Sequence, residues 1–301
     1  LVFAFTGEKI VFELGMRDFL LLLFFAGIGL KADVRSLLAG GKPLAVLLAL
    51  AIVFMLLQNF AGLSLASLFG LEPKAGLMVG SISLTGGVGT TLAWAPIFTQ
   101  RLGIENALEL GIAANTVGLI AACIIGGPIA AYLMKRHRIA GNQDGDLDIG
   151  APFEQAQTRL DYFCVLWAIL ALNVALMLGF GIEKLIALTG LTVPTFVSCL
   201  LAGIAIRNLM PLAVGAAVRR IWPGVEDGLA LVSDLALGLF LTMALMGLQL
   251  WQLDGVLVFI TAALAIQIAL TVLFTITVVF RLMGRDYEAA VISAGFGGIT
   301  L

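Results

Sequence analysis

Charge is scarce in this chain, and so are the residues from which most reactive sites are built. Charged side chains make up 12% of the sequence, against roughly 25% in a soluble domain. The 17 basic and 19 acidic residues leave a net charge of −2, so there is no basic footprint for nucleic acid. The single histidine, His137, lies in a basic stretch. The three cysteines, Cys123, Cys164 and Cys199, fall in separate apolar runs with no Cys-x-x-Cys pair. That excludes a metal cluster or a disulfide framework, and the thiols read as small buried hydrophobes. Serine and threonine occur without a nearby His, Lys or paired Asp, so an enzyme is not expected and no cofactor is called for. No signal peptide is recognisable at Leu1.

What fills the space is apolar sequence. Hydrophobic residues reach 61% and the mean hydropathy is +1.10. Several runs approach the ~20 residues that cross a bilayer, Leu44 to Leu57 and Val256 to Phe280 most clearly. The runs are continuous and do not alternate, which argues against a β-barrel. The expected fold is an all-α polytopic membrane protein. Its elements are predicted near 11–30, 43–69, 75–100 (interrupted), 105–134, 160–182, 193–210, 229–251, 255–281 and from 289 onward. The polar stretch from Lys135 to Arg159, with Gly141-Asn142-Gln143-Asp144-Gly145-Asp146, has linker composition. Pro211 to Asp227 mixes Arg219, Arg220, Glu226 and Asp227 with Val214, Val218, Ile221 and Trp222, and predicts an amphipathic helix at the membrane surface.

Two glycine-rich segments interrupt the apolar pattern. One runs from Gly80 to Trp94 and the other from Ser293 to Leu301. Both carry Gly-x-x-Gly-x-Thr-Leu, as Gly86, Gly89, Thr91, Leu92 and as Gly295, Gly298, Thr300, Leu301. Paired breaks in corresponding places are the best sequence pointer to a secondary-transporter site. Gly76 and Gly80, like Gly126 and Gly127, read instead as small residues for close helix packing.

The Lys and Arg residues give an orientation. If 75–100 enters and leaves on one side, then Lys31, Arg35, Lys42, Lys135, Arg136, Arg138, Arg159, Arg207, Arg219, Arg220, Arg281 and Arg285 share one compartment. Lys9, Arg17, Lys74, Arg101 and Lys184 face the other. The positive-inside rule makes the first compartment cytoplasmic. A full crossing by 75–100 would destroy this bias, so the first segment is expected to be a re-entrant hairpin from outside. The second, following Arg281 and Arg285, enters from the cytoplasm.

Markers recur in order: Ala26-x-x-Gly29-Leu30 with Ala244-x-x-Gly247-Leu248, Gly70 and Ala75 with Gly284 and Ala289, and Gly86 with Gly295. An odd number of crossings separates the first marker helix from its copy, which predicts an inverted-topology repeat. The expected organisation is a first repeat over 1–135 with its hairpin at 75–100, a cytoplasmic linker over 136–159, and a second repeat over 160–301 whose hairpin begins at 289. The offsets further predict two more spans before residue 1, and the rest of a hairpin plus one span after residue 301. That would make ten full spans with two hairpins.

These residues resemble the bacterial glutamate:sodium symporter family along nearly the whole chain. The likeness includes Phe24-Phe25-Ala26-Gly27-Ile28-Gly29-Leu30, the hairpin from Gly80 to Trp94, Gly126-Gly127-Pro128, Val193-Pro194-Thr195-Phe196 and Met243-Ala244-Leu245-Met246-Gly247-Leu248. The resemblance implies a Na+-coupled L-glutamate importer of the bacterial inner membrane. It also implies a multi-pass homodimer in contact with lipid, with inverted repeats and Gly-Gly-x-Gly motifs in its re-entrant loops. That motif stands here as Gly86-Gly87-Val88-Gly89, while Gly295-Phe296-Gly297-Gly298 departs from it. A Na+-coupled transporter of another dicarboxylate or a hydroxycarboxylate, such as citrate or malate, is the alternative.

Neither glycine segment contains Lys or Arg, so a carboxylate substrate is expected to be met by helix N-termini and its charge balanced by Na+. The candidate binding residues are Ser83, Thr85, Gly86, Gly87, Gly89, Thr90, Thr91, Asn115, Gly295, Gly297, Gly298 and Thr300. The hydroxyls of Thr85, Thr90 and Thr91 are the candidates for the Na+ site. Asn173, Gln249 and Gln267 are expected to bond between helices, and Asp234 to be a solvated acid in a first helical turn.

Overall fold

The computed structural model describes residues 15–139, 161–190, 193–214, 216–247, 253 and 255–301. These are helical, with no strand among the described residues. The elements are α1 (Gly15–Lys31), α2 (Val34–Ala39), α3 (Gly41–Leu68), α4 (Ala75–Met78), α5 (Gly87–Leu102), α6 (Ala107–His137), α7 (Tyr162–Ala187), α8 (Thr195–Val214), α9 (Ala216–Met246), α10 (Leu257–Phe274) and α11 (Tyr287–Ile299). A π-helical turn at Thr275–Val279 and a last turn at Phe280–Leu282 continue α10. Among the described residues, five helices are long and apolar enough to cross a membrane: Gly41–Leu68, Ala107–His137, Tyr162–Ala187, Gly224–Met246 and Leu257–Leu282, and Thr195–Met210 is a shorter apolar helix. The interruption in 75–100 appears as turns between α4 and α5. Most of the linker, and Gln249, lie outside the described residues.

The chain forms two compact units. One takes Leu1–Leu38 and Pro152–Leu248, the other Ala39–Ala151 and Gln249–Leu301. Each unit therefore draws helices from both halves of the sequence.

In the first unit α1, α7, α8 and α9 pack around Ala26, Leu30, Ala168, Leu172, Leu176, Cys199, Val225 and Leu229. Glycines bring the backbones together here. A methyl group at Gly203 would meet the Ala26 carbonyl at 2.6 Å, and one at Gly179 would meet Cys199 Cα at 2.7 Å. Arg207 knits the same unit through Glu226 (2.6 Å) and Asp33 (3.6 Å) and lies over the Trp222 ring.

The second unit packs α3, α4, α5, α6, α10 and α11 around Met78, Val79, Leu84, Phe98, Leu110, Ala114, Phe259 and Leu264. The closest approach joins α3 to α4. A methyl at Gly76 would lie 2.7 Å from the Leu63 nitrogen, and one at Gly62 would lie 2.9 Å from the Gly76 carbonyl carbon. Gly76 thus plays its expected packing role.

Several expectations are corrected. The helix expected over Pro211 to Asp227 is not a separate element: Pro211 to Val214 end α8, and α9 is continuous from Ala216 through Pro223 and Gly224 into the membrane-length segment. Asp234 consequently sits well inside α9 and is exposed, not in a first turn. A methyl group at Gly127 would meet nothing within 4 Å, and one at Gly126 only the Ala294 carbonyl at 3.8 Å, so neither is a close-packing glycine here. Cys123 is exposed on α6, whereas Cys199 is buried as expected. Asn173 bonds back to Ile169 of its own helix, not to a neighbour.

Candidate functional site

The sequence from Val79 to Gly86 cannot hold a regular helix: Ser81, Ser83 and Thr85 offer hydroxyls that compete for backbone groups, and Gly86 and Gly87 follow. The structure resolves this competition into turns. Gly86 N–H bonds to the Ser81 carbonyl (2.9 Å) and Gly87 N–H to that of Ser83 (3.1 Å). Gly87 then adopts φ +75°, a left-handed conformation that costs a residue with Cβ about 1–2 kcal/mol. From there α5 runs for 16 residues. Its cap, Gly86, supplies no side-chain oxygen, so no side chain covers the positive end of the helix dipole.

The second glycine segment occupies the last turns of α11 and the residues after it. The N-terminus of α11 is distant from these glycines in sequence and is already capped by Asp286, which accepts from Ala289 N–H (2.7 Å). The two segments therefore differ: only the first places a helix N-terminus at its glycines.

Both segments lie in the second unit, and named contacts bring them together. On α6, a methyl at Gly118 would meet Leu84 of the first segment at 2.6 Å and would also strike the Leu301 carbonyl of the second. Farther along α6, Gly111 faces Thr91, Met78 and Ser83. Asn115, between them, is buried and donates through Nδ2 to the Ser83 carbonyl (2.9 Å). Of the expected binding residues, Asn115 thus faces the first segment.

The strongest tie is Gln58 of α3, which is fully buried. Its Nε2 donates to the Thr300 carbonyl (2.8 Å), and its Oε1 accepts from the Thr85 hydroxyl (2.7 Å). Gln267 of α10 donates to the Gln58 carbonyl (2.9 Å), so it does bond between helices. Gln58 is absent from the expected site. A signal for it existed: Gln58 and Gln267 stand 209 residues apart, the spacing that also separates Gly86 from Gly295 and Thr91 from Thr300.

The hydroxyls share one property: each proton is used within the protein. Ser83 donates to the Met78 carbonyl and Thr90 to that of Gly86. Thr91 is shared between the Gly87 carbonyl (2.9 Å) and Ser83 Oγ (3.0 Å). Thr300 donates to the Phe296 carbonyl (2.8 Å). What each has left is lone pairs, an arrangement that favours a cation over an anion. Ser83, Thr91 and Thr300 are buried, while Thr85 and Thr90 are half-buried. Gly86 and Gly295 are exposed, and Gly87, Gly89 and Gly298 half-buried. Gly297 is buried against Ile129 and Thr275. A cleft of about 480 Å³ opens elsewhere in this unit, beside Glu72, Gly103, Glu105, Asn106 and Val256; none of the expected site residues lines it.

Comparison with known proteins agrees with this architecture. No solved structure matches the chain. The sodium/glutamate symporter of Escherichia coli (strain K12) is 37% identical over 297 residues, and that of Haemophilus influenzae is 35% identical over 299. Those alignments cover 98% of this chain and 73% and 72% of the two relatives. The family model described as sodium/glutamate symporter matches residues 1–301, and the chain belongs to that family.

Proposed function

We propose that this protein is a Na+-coupled symporter of L-glutamate, a multi-pass carrier in a bacterial inner membrane and not an enzyme, with both solutes held between its two glycine-rich segments. The observation that carries the site is the meeting of these segments, distant in sequence, on Gln58 and on one face of α6.

The donor and acceptor pattern divides the labour. The candidate hydroxyls have spent their protons, so they do not serve a carboxylate; their oxygens suit Na+. Thr85 and Thr90, half-buried, are the accessible pair, and Thr91, next to Thr90 in the chain and buried, is the third candidate. A carboxylate of the substrate is met instead by N–H groups in the first turn of α5 beyond Gly87, since those of Gly86 and Gly87 are already bonded; Gly86, Gly87 and Gly89 put no side chain in the way of its approach. Asn115 positions the Ser83 carbonyl beneath them, and Gly295, Gly297, Gly298 and Thr300 close the site from the second segment. Na+ supplies the positive charge that no Lys or Arg provides within these segments. The segments act as re-entrant hairpins from opposite faces, related by an inverted repeat, in a homodimer.

The test is Na+-gradient-driven uptake of labelled L-glutamate into proteoliposomes, with glutamate competed by aspartate, malate and citrate. Uptake should require Na+, yield to glutamate before the other acids and show counterflow. Uptake that persists with Na+ replaced by choline refutes the coupling, and stronger competition by citrate or malate moves the substrate to the hydroxycarboxylates.

A further inference from the structure

The order of donors and acceptors around Gln58 is forced. The Thr300 carbonyl can only accept, so the amide nitrogen of Gln58 must face it, at 2.8 Å. The amide oxygen then faces Thr85, at 2.7 Å, and since that oxygen also only accepts, the Thr85 hydroxyl must give it its single proton. Both lone pairs of Thr85 Oγ1 are thereby turned away from Gln58. Thr85 is half-buried, so the residue is not sealed within the core. Gln267, buried like Gln58, fixes the level of Gln58 by donating to its backbone carbonyl at 2.9 Å.

We infer that Gln58 is a positioning residue of the cation site: it presents Thr85 as an oxygen donor to Na+ and, through the Thr300 carbonyl, links that presentation to the placement of the second glycine segment. This inference rests on the proposed Na+ coupling. A cation on Thr85 polarises the hydroxyl and strengthens its bond to Gln58 Oε1. Bonds in such a chain reinforce one another, so the pull extends to Gln58 Nε2 and Thr300. Binding of Na+ at the first segment then favours the seated position of the second, which is the link a symporter needs between its ion and its substrate.

The experiment is a Na+ titration of L-glutamate uptake in proteoliposomes for the wild type, Gln58→Leu, Gln58→Glu, Thr85→Ala and Gln58→Leu with Thr85→Ala. Gln58→Leu removes both bonds and should raise the Na+ half-saturation about tenfold, the effect of one lost hydrogen bond of about 1.4 kcal/mol. Gln58→Glu keeps the acceptor for Thr85 and should hold the Na+ half-saturation at or below that of the wild type. A merely structural Gln58 predicts the reverse order, because a buried carboxylate harms packing more than leucine does. In the Thr85→Ala background Gln58→Leu should add little. Gln58→Leu titrating like the wild type, Gln58→Glu shifted as far as Gln58→Leu, or fully additive effects would each overturn the role. If Gln58→Leu fails to reach the membrane, Gln58→Glu against Thr85→Ala decides: only the second should weaken Na+. A wild type indifferent to Na+ overturns the symport reading and the role of Gln58 with it, whereas a Na+-dependent wild type with unshifted variants overturns the role alone.

Discussion

Gly111→Ala tests whether the glycines of α6 exist to seat the first glycine segment. The added methyl carbon would stand 2.9 Å from Met78 Cε and 2.9 Å from Ser83 Oγ, with Thr91 Cγ2 nearer still. Carbon contacts are comfortable at about 3.5–4.0 Å, so the neighbours must give by roughly 0.6 Å or more. Met78 can flex, but Thr91 is branched at Cβ and has few rotamers to offer. Rotating it withdraws its hydroxyl from the Gly87 carbonyl and from Ser83 Oγ. Overpacking of this kind costs about 1–3 kcal/mol. Alanine returns about 1 kcal/mol through its better helix propensity, so the fold should lose only about 0–2 kcal/mol. The distorted hydroxyls have no such offset, and the Na+ half-saturation should rise about tenfold to a hundredfold, which is 1.4–2.7 kcal/mol. The assay pairs Na+ titration of uptake with the apparent Tm in detergent. Gly181→Ala is the control, since a methyl there meets nothing within 4 Å; it should leave both quantities unchanged or raise the Tm slightly. A Gly111→Ala protein with wild-type Na+ half-saturation and wild-type Tm would refute the reasoning.

Three other substitutions separate packing from site. Gly76→Ala drives a methyl into the backbone of α3, 2.7 Å from the Leu63 nitrogen, where no side chain can rotate away; a loss of about 3 kcal/mol is expected, seen as a lower apparent Tm or aggregation in size-exclusion chromatography. Asn115→Leu removes the 2.9 Å donor to the Ser83 carbonyl, which keeps only the Gly87 N–H, at a cost of about 0.5–1.5 kcal/mol, and should raise the glutamate half-saturation by about twofold to tenfold. Gly89→Leu should abolish uptake while folded protein still reaches the membrane, measured by uptake against the monodisperse peak; normal uptake would remove Gly89 from the site.

The membrane-length helices were legible because apolar runs of that length have one stable answer in lipid, with every backbone bond made internally. Hence α3 at Gly41–Leu68 and α6 at Ala107–His137 fall within a few residues of the predicted 43–69 and 105–134. Local rules failed where surroundings overrule them. Pro223-Gly224 reads as a break by propensity, yet α9 passes through it, with Trp222 and Val225 on either side buried against its unit. Gly126-Gly127 and Gly76 look alike as letters, but only Gly76 is pressed against another backbone, its methyl falling 2.7 Å from the Leu63 nitrogen where that of Gly126 would lie 3.8 Å from the nearest atom; small residues announce the possibility of close approach, not the partner.

Gln58 shows the deeper limit. Gln58, with Asn59 beside it in the apolar run Phe54 to Gly62, carries no local signature of function, because burial of its amide is tolerable only when both ends find partners, and those partners, Thr85 and Thr300, lie 27 and 242 residues away. Its importance is a property of three segments at once. The 209-residue spacing from Gln58 to Gln267 was open to view, yet a glycine pair suggests a broken helix by itself, whereas a glutamine pair suggests nothing until one amide is seen to hold both breaks. What composition could not convey is therefore the donor order. Three oxygens that only accept, on Thr300, Gln58 and Gly86, take the protons of Gln58, Thr85 and Thr90 in turn. That order leaves the Thr85 and Thr90 hydroxyls with lone pairs alone to offer, the donor set that the proposed cation requires.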